Sequence, residues 1–181
     1  MKLDIQELVR RIRKAHKHRF VYHFTDSSNF ELIKHYGGLH SKKSQQDHGF
    51  SANSPGGDLA SRMADQLRGH FDHVSLCLTD NHPMAYRCRQ DGRHKKQKYF
   101  MIDPDVLKIP GTLVALGLAH SPQTQVLPIS DAIGEIDLDI LYDKWVWSVD
   151  VQKRLQIAEK IEILVPRFVP INLLKKTRDG K

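Results

Sequence analysis

Cysteine is scarce in this 181-residue chain: Cys77 and Cys88 are the only two. Two thiols cannot build a disulfide framework, and their scarcity points to a reducing compartment. Long apolar runs are missing too. None approaches the roughly 18 residues that a membrane span requires, and the charged N-terminus lacks the apolar centre of a secretory signal. No glycine-rich phosphate loop of the dinucleotide or nucleotide-triphosphatase type is present, no His-Glu-x-x-His occurs, and no Cys/His set has the spacing of a structural zinc site. The eleven histidines therefore do not predict a metal centre. These absences leave a soluble, cytoplasmic protein with no membrane partner and no metal.

The chain is rich in apolar and charged residues, at 40% and 27% respectively, which is a globular composition. At 20.8 kDa it is large enough for one domain with a sizeable core. Twenty-eight Lys and Arg stand against 21 Asp and Glu, giving a net charge of +7. A basic surface favours phosphate-bearing partners, and here the charge is clustered. Arg10, Arg11, Arg13, Lys14, Lys17 and Arg19 form one basic zone, and residues 87–98 form a second with Arg87, Arg89, Arg93, Lys95, Lys96 and Lys98. Residues 131–143 are acidic, with Asp131, Glu135, Asp137, Asp139 and Asp143.

Leu3, Ile5, Leu8, Val9 and Ile12 recur at helical spacing, so residues 3–16 read as an amphipathic basic helix. Phe20–Phe24 reads as a strand, followed by a helix that Asp26 caps and Gly37-Gly38 ends. Residues 40–57 read as a long polar surface loop, 58–70 as a helix and Val74–Leu78 as a strand. Strands are expected at Tyr99–Ile102 and Thr112–Leu118, with a helical turn starting at Asp103-Pro104. Residues 120–145 carry no clear period. A helix at 150–159 and a strand at Ile161–Val165 follow, and Lys175–Lys181 reads as a frayed basic tail. The sum is an α+β domain over residues 20–174, with a basic helix at 1–19 before it and the tail at 175–181 after it.

Two segments carry chemistry-bearing groups. Tyr22-His23-Phe24-Thr25-Asp26-Ser27-Ser28-Asn29 sets His, Thr and Asn at the end of a strand and the first turn of a helix. Backbone N–H groups point outward there and polar ligands bind, although the same residues also serve as plain caps. Glu162 interrupts the apolar run Ile161–Val165. Alternation puts it on the face of Leu164, opposite Ile161 and Ile163, so it either meets solvent or lines a cleft. Cys77, within an apolar strand, reads as a packed thiol.

Tyr22-His23-Phe24-Thr25 with Asn29, Ile33 and Gly38-Leu39 resembles the opening of the DarT-type ADP-ribosyltransferases, which modify bases in single-stranded DNA using NAD. The stretch from His73 to Tyr86, ending in His82-Pro83-Met84-Ala85-Tyr86, is similar to that family's strand and Ser-Pro-Met turn. Ala158–Pro166 resembles its glutamate-bearing strand, with Glu162 in the glutamate's place. The resemblance implies an ADP-ribosyltransferase-like fold, with short-stranded mixed or antiparallel sheets and flanking helices around an NAD cleft. It assigns Glu162 to stabilising the oxocarbenium-like state that forms as the nicotinamide–ribose bond breaks. His23, Thr25 and Asn29 would hold the nicotinamide and its ribose, with Gly38 and Leu39 beside them. Arg62 would contact the phosphates or the reaction centre, with Arg68 as the fallback, and Tyr86 either walls the nicotinamide pocket or is core.

Arg87, Arg89, Arg93, Lys95 and Lys96 would track the acceptor strand, which is single-stranded DNA or RNA. The implied biology is a toxin or phage-defence effector with a separate antitoxin protein, 181 residues leaving no room for a fused one. The sequence departs from the family at Ser75–Leu78, at Asn81-His82 in place of Arg-Ser, and at Lys160-Ile161. Thymine, guanine and an RNA base all stay open as the acceptor. A non-catalytic nucleic-acid-binding module and a protein-directed transferase are the alternatives.

Overall fold

The Asp4 carboxylate accepts the Glu7 N–H at 2.8 Å and opens helix α1 (Ile5–Lys14), whose Leu8, Val9 and Ile12 are buried. Each such side chain contributes about 1.5–3 kcal/mol on burial, which fastens this charged helix to the main core beside Val106 and Leu107. Arg13 adds ion pairs to Asp103 at 2.6 Å and Asp105 at 2.9 Å. The computed structural model describes residues 4–56 and 59–180, with the side chains of residues 59, 61, 62 and 65 outside the description.

Strand β1 (Val21–Asp26) leads through a turn at Ser27–Asn29 into α2 (Phe30–His35), then β2 (Gly38–His40), α3 (Lys42–Asp47) and α4 (Leu59–Leu67). Next come β3 (His73–Cys77), α5 (Pro83–Gln90), β4 (Gln97–Ile102), a turn at Pro104–Lys108, β5 (Leu113–Ala115) and β6 (Val126–Pro128). The chain ends through α6 (Ile129–Ala132), α7 (Leu138–Tyr142), α8 (Val149–Ala158), β7 (Glu162–Pro166), β8 (Phe168–Pro170) and β9 (Leu174–Asp179).

Seven strands form one sheet in the order β6-β5-β7-β3-β1-β4-β9, with every pair antiparallel. β2 and β8 form a separate antiparallel pair. At the centre of the large sheet, β1 and β3 share one registered pair, Tyr22↔Cys77, whereas β1 shares six with β4. The sheet is therefore two half-sheets joined at one rung. β2 and β8 approach so closely that a Cβ on Gly38 would lie 2.2 Å from the Val169 carbonyl oxygen. With φ at +154°, position 38 has a backbone reason to be glycine.

Three expectations change. Residues 42–47, read as loop, form α3 because the Ser41 hydroxyl caps the Ser44 N–H at 3.0 Å. The segment read as a frayed tail is β9, which pairs with β4 from Ile102↔Leu174 to Lys98↔Asp179 and is pinned by an ion pair from Arg178 to the buried Asp80. Residues 120–145, without a period, fold as the short elements β6, α6 and α7, whose Ile129, Leu138, Ile140 and Leu141 enter the core.

Candidate active site

The wedge between β1 and β3 opens a cavity of about 510 Å³, a size suited to a small-molecule ligand. Next to the single rung, the His23 ring occupies the position of the following ladder bond. Its Nδ1 lies 3.0 Å from the Ser75 carbonyl oxygen. A carbonyl only accepts, so Nδ1 carries the proton and Nε2 is left with a lone pair. Burial pushes the His23 pKa down to about 4, so the ring is neutral at neutral pH.

Glu162 begins β7 and pairs in register with both Cys77 and Ala115. It is 9% exposed and is the only carboxylate lining the cavity among the described residues. Its Oε1 accepts the Ala119 N–H at 3.0 Å from the loop that joins β5 to β6. Cys77 sits across the ladder as a buried thiol whose pKa burial and the Glu162 charge push up, so it is packing and not a nucleophile.

The turn after β1 is held from several sides. Asp26 caps Ser28 N–H at 3.0 Å and accepts Lys96 N–H at 2.8 Å. Burial works to raise its pKa, and those bonds prevail and lower it. Thr25 and Asn29 both line the cavity. The Asn29 amide, however, is fully used. Its Nδ2 donates to Thr25 Oγ1 at 2.9 Å and to the Ser54 carbonyl at 3.0 Å, while Oδ1 accepts the N–H groups of Asn53 at 2.8 Å and Ser54 at 3.2 Å. In this geometry Asn29 holds the 53–54 segment instead of offering its amide to a ligand.

Gly38 and Leu39 line the cavity as well. The far end is formed around α3, where Lys43 N–H bonds the Phe71 carbonyl, and Lys42, Gln45 and Phe50 face the space. Along β3, Cys77 to His73 spans about 13 Å of wall between the two ends.

Tyr86 does not line the cavity. It is 59% exposed with the Arg89 guanidinium 5.8 Å from its ring centroid. Met84 lines the cavity instead, and residues two apart on a helix point about 200° from each other. The backbone of residue 62 lies on α4, but the Arg62 side chain is outside the described residues. Arg68 bonds the Thr124 carbonyl at 2.8 Å and is not part of the cavity lining. Within the second basic zone, Arg87, Lys95 and Lys96 are exposed. Arg93 braces the loop instead, donating to the Gly56 carbonyl at 2.5 Å and pairing with Asp91 at 2.6 Å.

Sequence reading missed His82 and His120, both of which line the cavity. His82 is the N-cap of α5, and in the sequence it stood out only as preceding a proline and, with Asn81, as a departure from the family's Arg-Ser. His120 lay in the segment without a period.

The family model for "ssDNA thymidine ADP-ribosyltransferase, DarT" matches residues 22–177. The chain belongs to the DarT family. Its fold is similar to that of Thermus sp. 2.9 DarT in complex with ADP-ribosylated ssDNA, at 13% identity and a TM-score of 0.61 over 87% of this chain and 79% of that one. The same Thermus protein in complex with NAD+ gives a TM-score of 0.56 at 14% identity, again over 87% and 79%. Thermosipho africanus DarTG in complex with ADP-ribose gives 0.66 at 19% identity, covering 87% of this chain and 43% of that longer one. A sequence search of curated proteins finds no match. As a DarT-family member the chain is an ADP-ribosyltransferase with the α+β fold of those structures. Among the described residues no helix is long and apolar enough to cross a membrane.

Proposed function

We propose that this protein cleaves the nicotinamide–ribose bond of NAD in the wedge between β1 and β3 and transfers ADP-ribose to thymidine in single-stranded DNA. The observation that carries the reading is Glu162: a buried carboxylate, the only one lining the cavity among the described residues, in a lining shared with His23 and His82, which burial keeps neutral. Such a group stabilises an oxocarbenium-like sugar, and neither neutral imidazole competes with it as a cation. The complexes of the Thermus relative with NAD+ and with ADP-ribosylated ssDNA, and the family's description, support the same donor and acceptor.

In this reading the nicotinamide half of NAD lies beside His23, whose Nε2 lone pair accepts from a ribose hydroxyl or the carboxamide N–H. The Ala119 N–H holds Glu162 Oε1, leaving the carboxylate aimed at the ribose. The adenosine half lies toward Lys42, Gln45 and Phe50. As the bond breaks, the positive charge moves from the pyridinium ring to the ribose and toward Glu162. The carboxylate then helps take the proton from the attacking base nitrogen. Thr25 and Asn29 act by fixing the 53–54 segment over the site, and Arg62 is the residue for the phosphates or the reaction centre. The exposed Arg87, Lys95 and Lys96 attract the acceptor's phosphates.

A cytoplasmic setting, where the buried thiols of Cys77 and Cys88 stay reduced, fits the reading. So does a role as a toxin in phage defence restrained by a separate antitoxin.

The test is to incubate the protein with NAD labelled in its adenosine half and, in parallel, thymidine-containing oligodeoxynucleotides, thymidine-free guanine-rich oligodeoxynucleotides, RNA and cell extract. Label on the thymidine oligonucleotide is expected. Label on RNA or protein alone, or intact NAD in every arm, refutes the assignment.

A further inference from the structure

We propose that His82 is a positioning residue for Glu162, presenting its Nε2–H to the carboxylate and holding it in its anionic, cleft-facing form. This rests on the reading of Glu162 given above. The tautomer follows from the cap. The Met84 N–H donates to His82 Nδ1 at 3.3 Å, so Nδ1 is an acceptor and a neutral ring must carry its proton on Nε2. That nitrogen lies 3.9 Å from Glu162 Oε1, inside the protein, with the His82 side chain 1% exposed. The gap is longer than a hydrogen bond and closes with a shift of about 1 Å. Phe24 stacks on the ring at 5.9 Å and 20°, fixing its plane.

The surroundings keep the ring neutral. Burial pushes its pKa down to about 4 and the neighbouring His120 on the β5–β6 loop lowers it further, while a hydrogen bond to the Lys160 carbonyl, the competing acceptor for the ring N–H, works to raise it. Of the groups packed around it, Glu162 from β7 and His120 are titratable, Phe24 from β1 and Met84 from α5 are not. Glu159 at the end of α8 is engaged next door by Asn81 at 2.9 Å. A neutral N–H donor beside a carboxylate lowers that carboxylate's pKa without placing a competing cation near the sugar.

The experiment reads the Glu162 carboxyl directly. Carbon-13 titration of the free protein, assigned with Glu162→Gln, is compared among wild type, His82→Phe and His82→Gln, the last keeping an N–H donor. In His82→Phe the Glu162 pKa is expected to rise by about one unit, and in His82→Gln by less than half of that. NAD turnover should lose about tenfold in kcat in His82→Phe, with KM within about twofold and the acidic limb of the pH profile moved up in step. Nitrogen-15 histidine spectra of the wild type must show the proton on Nε2. A proton on Nδ1, or a Glu162 pKa unchanged in His82→Phe, overturns the proposal. So does an equal rise in the two variants. If His82→Phe does not fold, the wild-type tautomer and the His82→Gln titration decide alone. Because titration needs no substrate, a wild type that spares NAD while passing it refutes the proposed function and leaves the pairing standing.

Discussion

Replacing Glu162 by glutamine isolates its charge. The amide is nearly isosteric, and its carbonyl can still accept the Ala119 N–H that now bonds Oε1 at 3.0 Å, so the β5–β6 loop should stay in place. What is lost is attraction between an anion and a developing cation. At about 4 Å and an effective dielectric constant of about 20, that attraction is about 4 kcal/mol. NAD already carries a positive charge on its pyridinium ring, so part of this is present before the bond breaks, and only the difference speeds the reaction. With about 3–4 kcal/mol left as the differential, kcat should fall about 10²–10³-fold. The affinity for NAD, measured by calorimetry on the unreacted enzyme, should change by no more than about threefold. Nicotinamide release under single-turnover conditions is the measurement. A variant that keeps more than about a tenth of wild-type kcat would show that the charge of this side chain is not used in the transition state.

Protonation gives a stability prediction. His23 and His82 have pKa values near 4 in the fold against an ordinary 6.5, so between those values the unfolded chain binds more protons. Stability should be full above about pH 6.5 and fall toward pH 4, by about 3 kcal/mol for each imidazole, readable as a declining Tm that His82→Gln makes shallower. Removing Arg87 and Lys95 together should flatten the salt dependence of single-stranded DNA binding by about 1.4 in log-log slope, whereas Arg93→Ala should leave the slope alone and lower Tm. A salt slope that moves with Arg93 would contradict its role as a loop brace. Gly38→Ala should cost about 3 kcal/mol or more in urea unfolding, because the new methyl meets the Val169 carbonyl; a neutral result would mean that β2 and β8 are not so closely apposed. Asn29→Ala should raise the KM for NAD by releasing the 53–54 segment, with local hydrogen exchange rising there and not in β3.

How much of this was legible beforehand depended on the kind of signal each segment carries. α1 announces itself through Leu8, Val9 and Ile12, and the cap at Asp26 is a short-range pattern that the structure reproduces. Glu162 stood out because a carboxylate in an apolar strand has few places to go; that it lines the cavity is a matter of pairing with Cys77 and Ala115, which no local pattern encodes. α3 was hidden because its six residues are polar and owe their helix to a cap and to tertiary contact. β9 was hidden because an edge strand facing water can be built from Lys, Thr and Arg as long as its backbone finds β4. Asn29 shows the same limit at the site. Its residue type suggested a ligand contact, while its partners, 24 and 25 positions away, make it a clamp. Tyr86 was misplaced by a helical rotation of two residues.

The single rung at Tyr22↔Cys77 has a mechanical consequence. Swinging one half of the sheet against the other breaks that pair and the His23–Ser75 link while leaving the remaining ladders whole. Torsion at this seam therefore changes the width of the gap with the ladders of each half intact, and it is resisted by the core that Val21 and Ile102 share with Val74 and Ile163. Occupancy by a dinucleotide, which spans both lips, should be felt across the molecule as resistance to that twist.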